Sequence, residues 1–322
     1  MPAGTYVITG ATGLMGTTAL LRLKDQPGVR IRAIYHNREP FVLADNITYL
    51  KADLTDAAET LVAFRGCDYL LHFAGVLMTA PVLAANPVRP LTVNLILNLR
   101  ILEAAYAAGL KQVVFIGSST GYPPSDAPLH EDDLARDDPS DPYFGLGWMF
   151  RYSETVCRLY ASKLKQPLKV SVLRPSTIYG EYENFDPATA HMLPALIAKV
   201  ASRREPVQVW GSPEVQRDLV HADDVFEACL LALAVAPPYG VYNVCHGREY
   251  SVGELIGMIM TEAGWQGRVE FVSDRPVTGG RRILDSSRIR EELGFAPKVS
   301  MEAGIRRMLN HYRSATAGKG RI

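Results

Sequence analysis

Three glycines at intervals of three residues, Gly10, Gly13 and Gly16, follow directly on Thr5–Thr9, an apolar run that is typical of a β-strand. They open a second apolar segment that is suited to a helix. A tight glycine turn lets a pyrophosphate approach the backbone N–H groups at a helix N-terminus, where the helix dipole favours negative charge. A glycine trio alone can be only a turn, but its place after the first strand predicts a dinucleotide site.

The elements that must position this turn alternate along the first two-thirds of the chain. Short apolar runs and longer periodic segments follow one another, which is the pattern of a parallel sheet between layers of helices. The predicted strands are Tyr6–Thr9, Arg30–Tyr35, Thr48–Leu50, Tyr69–Phe73, Val113–Ile116, Lys169–Leu173 and Val241–Val244. The predicted helices are Val93–Ala108, Gly147–Lys163, Asp223–Ala234 and a segment that ends near Ala263 after a capping box formed by Ser251 and Glu254.

These elements predict an α/β fold, with a doubly wound parallel sheet of the Rossmann type and a smaller discontinuous α/β lobe. Residues 1–178 and 216–248 are assigned to the dinucleotide-binding domain, and residues 179–215 and 249–315 to the second lobe. Residues 316–322 are predicted to form a flexible tail.

The composition argues against a nucleic-acid-binding, membrane-bound or zinc-binding protein. The 34 basic and 34 acidic residues balance to zero net charge, so no electrostatic attraction to nucleic acid or to an anionic membrane is expected. The longest apolar stretches, such as Ala228–Ala236, are too short to span a bilayer. Four widely spaced cysteines in apolar segments favour buried thiols in a reducing compartment and show no zinc-ligand spacing. We therefore expect a cytoplasmic protein without a structural metal.

The spacing of the three glycines resembles that of the extended short-chain dehydrogenase/reductases, in the NAD-dependent epimerase/dehydratase group. The resemblance places the cofactor in the first lobe and a nucleotide sugar in the second. The positions that it assigns to the cofactor are Gly10, Gly13, Leu14, Met15, Gly16, Asn37, Arg38, Asp53, Leu54, Phe73, Ala74, Gly75 and Asn94.

Cofactor choice depends on the residues after the second strand. In the family an acidic residue there selects NAD(H), whereas this chain has no carboxylate before Glu39. Asn37 and Arg38 could face a 2′-phosphate, so we expect NADP(H), with NAD(H) as the other possibility. The competing interpretation is that Arg38 is a solvated loop charge.

The turn Gly117–Pro123, with the sequence Gly-Ser-Ser-Thr-Gly-Tyr-Pro, resembles that of GDP-fucose synthases, and segments 184–196 and 209–224 resemble their substrate-binding segments. In these enzymes a serine polarises the sugar carbonyl, which implies that role for Ser118; the alternative is that Ser118 and Ser119 only satisfy backbone groups of the turn. His191 keeps the place of an acid/base histidine and could move one proton, or only hydrogen-bond the ligand. The partner cysteine is replaced by Thr120, so the double epimerisation of the family is not expected.

The family's Tyr-x-x-x-Lys pair is absent from this sequence. One alignment places Leu146 and Phe150 at the two positions, and the other pairs Tyr143 with Gly147. Three explanations stay open. Tyr143 enters the site and Arg151 or another cation replaces the lysine, or a different base such as His191 handles the proton, or catalysis is lost.

The remaining resemblance concerns ligand binding. Ser119, Thr120 and His191 would line the sugar site, and Arg217 and Arg282 could hold the diphosphate through their planar, permanently charged groups. Trp210 could stack on the base, or it is a core aromatic residue at a strand end.

We therefore predict an NAD(P)-dependent oxidoreductase or epimerase that acts on a nucleotide-activated, GDP-linked sugar. The alternative is a non-catalytic NAD(P)-binding sensor that has lost hydride transfer. Family members commonly pair through the two helices that correspond to Val93–Ala108 and Gly147–Lys163, which implies a homodimer.

Overall fold

The computed structural model describes residues 1–76, 79–186, 189–272 and 282–317. Its strands are β1 (Gly4–Thr9), β2 (Val29–Tyr35), β3 (Ile47–Lys51), β4 (Tyr69–His72), β5 (Gln112–Ile116), β6 (Lys169–Pro175), β7 (Thr177–Tyr179), β8 (Val207–Trp210), β9 (Gln216–His221), β10 (Tyr239–Val244), β11 (Glu249–Ser251) and β12 (Val269–Val272). Its α-helices are α1 (Leu14–Leu23), α2 (Ala57–Phe64), α3 (Ala80–Ala85), α4 (Val88–Ala107), α5 (Phe144–Ser162), α6 (Met192–Ser202), α7 (Ala222–Val235), α8 (Val252–Ala263), α9 (Ser287–Leu293) and α10 (Met301–Ala317).

The largest sheet has seven parallel strands in the order β10-β6-β5-β4-β1-β2-β3. Alternate residues of its strands pack into the two hydrophobic cores on opposite faces of the sheet. Tyr6 and Ile8 pack with helices α1 and α7, whereas Val7 packs with α2, α4 and α5 on the opposite face. Burial on both faces is what parallel sheets require. The predicted Rossmann sheet between two helix layers is confirmed.

The second lobe contains two small sheets, one with the order β11-β9-β7 and one that pairs β12 with β8. Their core contains apolar residues of α6, α8 and α10, including Leu193, Leu255 and Ile305. Strand β9 begins segment 216–248, which the sequence analysis assigned to the dinucleotide-binding domain, but it pairs with β7 and β11. Strand β10 of the same segment joins the large sheet, so this segment contributes to both.

Several predicted boundaries differ from the structure. Helix α4 begins at Val88, five residues before the predicted start, because Pro90 lies in its first turn, where a missing N–H is tolerated. Helix α5 begins three residues before Gly147. The capping box is present: Ser251 accepts from the N–H of Glu254 at 3.0 Å and its own N–H donates to that carboxylate at 2.7 Å.

The prediction of a flexible tail over residues 316–322 is wrong for residues 316 and 317. Helix α10 continues to Ala317, and the Thr316 hydroxyl donates to the carbonyl of Tyr312 at 2.8 Å. Residues 318–322 of the predicted tail lie outside the described residues.

All four cysteines are buried with free thiols. Within the described ranges, no helix has both the length and the apolar character needed to cross a membrane. No group of three or more His, Cys, Asp or Glu side chains among those residues is arranged to hold a metal ion.

Candidate functional site

The glycine turn at the end of β1 is held close to the neighbouring strand. Gly10 has a φ of +64°, and a Cβ atom there would lie 2.8 Å from the backbone of Phe73 and Ala74. A Cβ atom on Gly16 would lie 2.1 Å from the carbonyl oxygen of Gly10. Gly13 is the N-cap of α1 and supplies no side-chain cap, so the first-turn N–H groups are available to an anion.

A buried network fixes the strand ends beside this turn. The Thr9 hydroxyl accepts from the N–H groups of Phe73 and Ala74 at 3.1 and 3.2 Å. It also contacts Nδ1 of His72 at 2.9 Å, and Nε2 of His72 lies 3.1 Å from Oδ1 of Asn98. Burial lowers the pKa of His72 to about 4. His72 is therefore neutral at pH 7 and positions the cofactor loop.

The other cofactor candidates occupy the same edge of the large sheet. Asn37 and Arg38 are exposed just after β2, whose Ile34 carbonyl accepts from the N–H of Ala11. The Asp53 carboxylate is exposed and accepts two hydrogen bonds from Thr55, which lower its pKa. Leu54 is buried beside it.

Asn94 lies in the second turn of α4 and is buried. Its side-chain amide exchanges two hydrogen bonds with the backbone of Val76, at 2.7 and 3.1 Å. Asn94 therefore holds the loop after β4, directly beyond Gly75.

A cavity of about 140 Å³ lies between the carboxyl ends of the sheet strands and the second lobe. Its wall contains five of the residues proposed from the sequence and four polar residues that were not among them, Ser176, Thr177, Gln216 and Asp218. The lining residues are Ser119, Tyr143, Ser176, Thr177, Ile178, Tyr179, His191, Met192, Leu193, Pro194, Gln216, Arg217, Asp218, Leu219 and Arg282.

Ser118 and Thr120 are not among the lining residues. Oγ of Ser118 accepts from the N–H of Thr120 at 3.2 Å and lies 2.9 Å from the Thr120 hydroxyl. Ser118 thus caps the short 3-10 turn Ser119–Gly121, which is the backbone role that was its alternative. Ser119 is the serine of this turn that faces the cavity.

Tyr143 enters the cavity from the turn that precedes α5, and its cationic neighbour is Arg282. The Arg282 guanidinium lies over the Tyr143 ring, 4.3 Å from its centre. Arg151, which the sequence analysis considered for this role, is buried elsewhere: it donates to the carbonyls of Gly121 and Asp137 at 2.8 and 2.5 Å. Arg282 is therefore the cation that packs on the Tyr143 ring, and Arg217 is near enough to interact electrostatically with Tyr143 as well.

Arg217 and Arg282 share one region of the cavity wall. Burial lowers the pKa of both guanidinium groups, and the charge of Arg282 lowers that of Arg217 further. Nη1 of Arg282 is buried and has no hydrogen-bond partner among the described residues. Two neighbouring, partly buried guanidinium groups favour binding of an anion with several oxygen atoms.

His191 is the N-cap residue of α6, and its Nδ1 lies 2.7 Å from Oε1 of Glu183. About two-fifths of the His191 side chain is exposed, at 41%, whereas Glu183 is 6% exposed. Burial lowers the pKa of His191, but the hydrogen bond and the charge of Glu183 raise it by more, so the net shift is upward.

Asp218 and Ser176 are functional candidates that the sequence analysis missed, and Asp218 is 5% exposed. Neither carboxylate oxygen has a hydrogen-bond partner within 3.5 Å among the described residues, and the same holds for the Ser176 hydroxyl. Burial raises the pKa of Asp218 to about 7, although Ser176 and the backbone N–H groups of Leu284 and His246 are near enough to offset part of the effect. A carboxylate directly before the buried Leu219 and Val220 of β9 was the available signal.

Trp210 and the two aspartates in the first turn of α7 lie outside the cavity wall. Trp210 is 43% exposed at the end of β8, with the Lys199 ammonium 5.4 Å from its ring centre, so it is not a core residue; nor does it line the cavity. Asp223 and Asp224 do not cap α7 with their side chains. The cap is His221, while Asp224 accepts from the N–H groups of Lys298 and Val299.

Comparison with known proteins adds a family and a fold. A sequence model of the NAD dependent epimerase/dehydratase family matches residues 6–245. A dTDP-4-dehydro-6-deoxy-D-allose reductase from a Streptomyces species is 28% identical, with 96% of each chain covered. A putative GDP-L-fucose synthase 2 from Arabidopsis thaliana is 26% identical over 95% of this chain and 90% of its own length. The solved structure of a UDP-glucose 4-epimerase from Thermotoga maritima has the same fold, with a TM-score of 0.85, 24% identity and coverage of 97% and 99%.

Proposed function

The chain belongs to the NAD dependent epimerase/dehydratase family, and from that premise we propose that it transfers hydride between NADP(H) and a nucleotide-activated, GDP-linked sugar. One observation carries the proposal. The glycine turn and the cavity with two arginines meet at the same edge of the large sheet: a Cβ atom on Gly180, the residue after β7, would lie 3.1 Å from Cδ1 of Leu14 in α1. Ligands of open α/β sheets bind at this carboxyl edge.

In this proposal the first-turn N–H groups of α1 hold the cofactor pyrophosphate. Arg217 and Arg282 hold the sugar-nucleotide diphosphate, and Ser119 faces the sugar. A bound nicotinamide would supply or accept the hydride. Tyr143 and His191 are the candidate proton carriers of the cavity wall, and Ser118 supports the turn that presents Ser119. The relatives that act on GDP-linked and dTDP-linked sugars support this substrate class.

The cofactor choice and the assembly are further parts of the proposal. Exposed Asn37 and Arg38 after β2 support NADP(H). A homodimer is supported by exposed apolar side chains on α4 and α5, among them Val88, Trp148 and Tyr152. The four buried free thiols support a cytoplasmic location.

The alternative function is a sensor that binds NAD(P) without turnover. It is favoured by the residues at the positions of the family pair, because Leu146 is buried and apolar and Phe150 carries no charge. A sensor of the dinucleotide alone would not need the arginine-lined cavity. The two functions therefore differ in whether a sugar nucleotide binds and reacts.

The test is absorbance at 340 nm, with NADPH and then NADH, after addition of a 4-keto GDP-sugar, and in the reverse direction with oxidised cofactors and GDP-sugars. A saturable change that depends on both ligands supports the oxidoreductase. Calorimetric binding of the dinucleotide without any absorbance change supports the sensor, whether or not the GDP-sugar also binds. Binding of neither ligand contradicts both.

A further inference from the structure

Glu183 lies eight residues before His191 and contacts its imidazole, and it is not itself one of the residues that line the cavity. The 2.7 Å contact between Nδ1 and Oε1 involves an acceptor-only carboxylate, which assigns the Nδ1 proton to the imidazole and directs Nε2 to a different partner. The other oxygen, Oε2, is buried without a hydrogen-bond partner among the described residues. His191 is therefore the charge partner that this carboxylate contacts directly.

The surroundings of His191 oppose a positive charge on its ring. His191 precedes the N-terminus of α6, where the helix dipole disfavours a cation. Two permanent cations, Arg217 and Arg282, line the same cavity, as do the titratable groups of Tyr143 and Asp218. Burial also lowers the pKa of His191, and the hydrogen bond and charge of Glu183 reverse this effect.

We propose that Glu183 is a positioning residue that keeps His191 protonated, so that His191 serves as the proton donor of the cavity. The inference rests on the proposed function and deepens it. In the reducing direction a bound nicotinamide would supply hydride to the sugar carbonyl carbon, and the carbonyl oxygen would need a proton as the C=O π electrons move onto it. Nε2–H of the imidazolium gives its proton to that oxygen. The products are a hydroxyl group, a neutral His191 and the oxidised cofactor, so no tyrosine–lysine pair is required.

The first experiment measures the titration of His191 by NMR in the full-length protein with labelled histidine, using His191→Asn to assign its signal. In Glu183→Gln the pKa of His191 should fall below that of the wild type, and in Glu183→Asp it should return towards it. An unchanged titration in Glu183→Gln overturns the proposal. This readout needs no turnover, so it separates failure of the inference from failure of the proposed function.

A second readout links protonation to the ligand. If Nε2–H donates to the sugar, the affinity for GDP-mannose should weaken as the pH rises through the His191 titration, and in Glu183→Gln this loss should occur at lower pH. At pH 7.5 the kcat/KM of Glu183→Gln should fall about tenfold for each unit by which the pKa of His191 drops below that pH. An altered titration without either effect would reduce Glu183 to a structural role and overturn the proposal.

The matched control is Glu181→Gln. Glu181 forms a similar pair, 3.1 Å from Nε2 of buried His221, but this pair lies in an ion network with Arg307 and not in the cavity wall. The variant should leave the His191 titration unchanged. Because burial raises the pKa of Asp218 to about 7 and Asp218 lines the same cavity, the effect of Glu183→Gln is also measured in the Asp218→Asn background, where it should persist.

Discussion

Asp218 places a carboxylate in a site where ionisation is costly and where a ligand can reach it. The pKa is raised from 3.8 to about 7 by burial. Between these two pH values the folded protein therefore holds a proton that the unfolded chain has released. The contribution of Asp218 to the free energy of unfolding is fully present below pH 3.8 and is lost as the pH rises through about 7. A shift of this size corresponds to a free-energy cost on the order of 4 kcal/mol for the ionised form, as an upper bound.

The first prediction follows from this cost. Asp218→Asn should raise the free energy of unfolding by about 2 kcal/mol at pH 8, and by much less at pH 4, because the amide cannot ionise. Denaturant unfolding across this pH range measures the difference. The control is Asp68→Asn, because Lys111 and the N–H of Thr5 lower the pKa of Asp68; this variant should be less stable than the wild type at neutral pH. Equal destabilisation by both substitutions at pH 8 would contradict the raised pKa of Asp218.

Asp218 is also expected to matter for the ligand. A buried carboxylate without a close partner persists in proteins most often where function uses it. If a sugar hydroxyl donates to it, Asp218→Asn should weaken GDP-sugar binding while the protein becomes more stable. That combination separates a ligand contact from a purely structural role.

The second prediction concerns the exposed Arg38 after β2. If its guanidinium pairs with a 2′-phosphate, Arg38→Ala should weaken NADP(H) binding about tenfold, equivalent to about 1.4 kcal/mol, and leave NAD(H) binding unchanged. Fluorescence titration with both cofactors measures the ratio. Arg30→Ala is the matched control, because Arg30 lies at the opposite end of the same strand and contacts Thr5. Equal loss for both cofactors, or no loss, would favour the solvated-charge interpretation.

Individual residues of the site were predictable where a motif fixes their place. The glycine turn and the cavity residues Tyr143, His191, Arg217 and Arg282 are examples. The cation beside Tyr143 was not predictable, because Arg282 is 139 positions away along the chain. Its approach depends on backbone hydrogen bonds that join Leu129 to Ile283 and Asp285.

At the scale of elements, the join between β1 and α1 is the most constrained feature of the cofactor site. The third prediction is that Gly16→Ala destabilises the protein by about 1–3 kcal/mol and abolishes measurable dinucleotide binding, since its Cβ would lie 2.1 Å from the Gly10 carbonyl oxygen and force α1 away from the turn. Denaturant unfolding and cofactor titration measure the two effects.

The control for this prediction is another glycine inside a helix. Gly257 of α8 is exposed, and a Cβ atom there would meet nothing within 4 Å. Gly257→Ala should therefore stabilise the protein by about 0.5–1 kcal/mol and leave dinucleotide binding unchanged. Retained cofactor affinity in Gly16→Ala would show that α1 tolerates displacement and would weaken the assignment of the pyrophosphate site.

The strands of the large sheet were predicted well because a parallel sheet buried on both faces has apolar runs of distinctive length. The start of α4 was missed because Pro87 and Pro90 are read as helix-breaking residues, although the first turn accepts them. The pairing of β9 was not predictable, since its partners β7 and β11 are short and lie far from it along the chain. Local patterns thus define elements better than their partners.

At the scale of the whole molecule, α4 and α5 together carry seven of the fifteen large apolar side chains that are exposed among the described residues. On α5, Phe144, Trp148, Tyr152 and Leu159 are 49%, 45%, 53% and 45% exposed and recur at helical spacing. The Arg151 guanidinium lies over the Trp148 ring at 4.8 Å from its centre. Contiguous apolar stripes of this kind mark protein interfaces more often than scattered exposed residues do.

The fourth prediction is that these stripes associate in a homodimer through a four-helix contact. Replacing Trp148 and Tyr152 together by Glu should shift the molecular mass measured by light scattering from two chains to one at micromolar concentration, because four charges would be buried at a symmetric interface. Val235→Glu is the control, since Val235 is 59% exposed at the end of α7, away from both stripes; it should remain dimeric. A wild-type protein that is monomeric at all concentrations would contradict the prediction.

The same interface should also affect ligand binding, because α5 begins directly after Tyr143 and a dimer contact on α5 would therefore hold one wall of the cavity. In the double variant, the affinity for GDP-sugars should fall from its wild-type value by more than the affinity for the dinucleotide does.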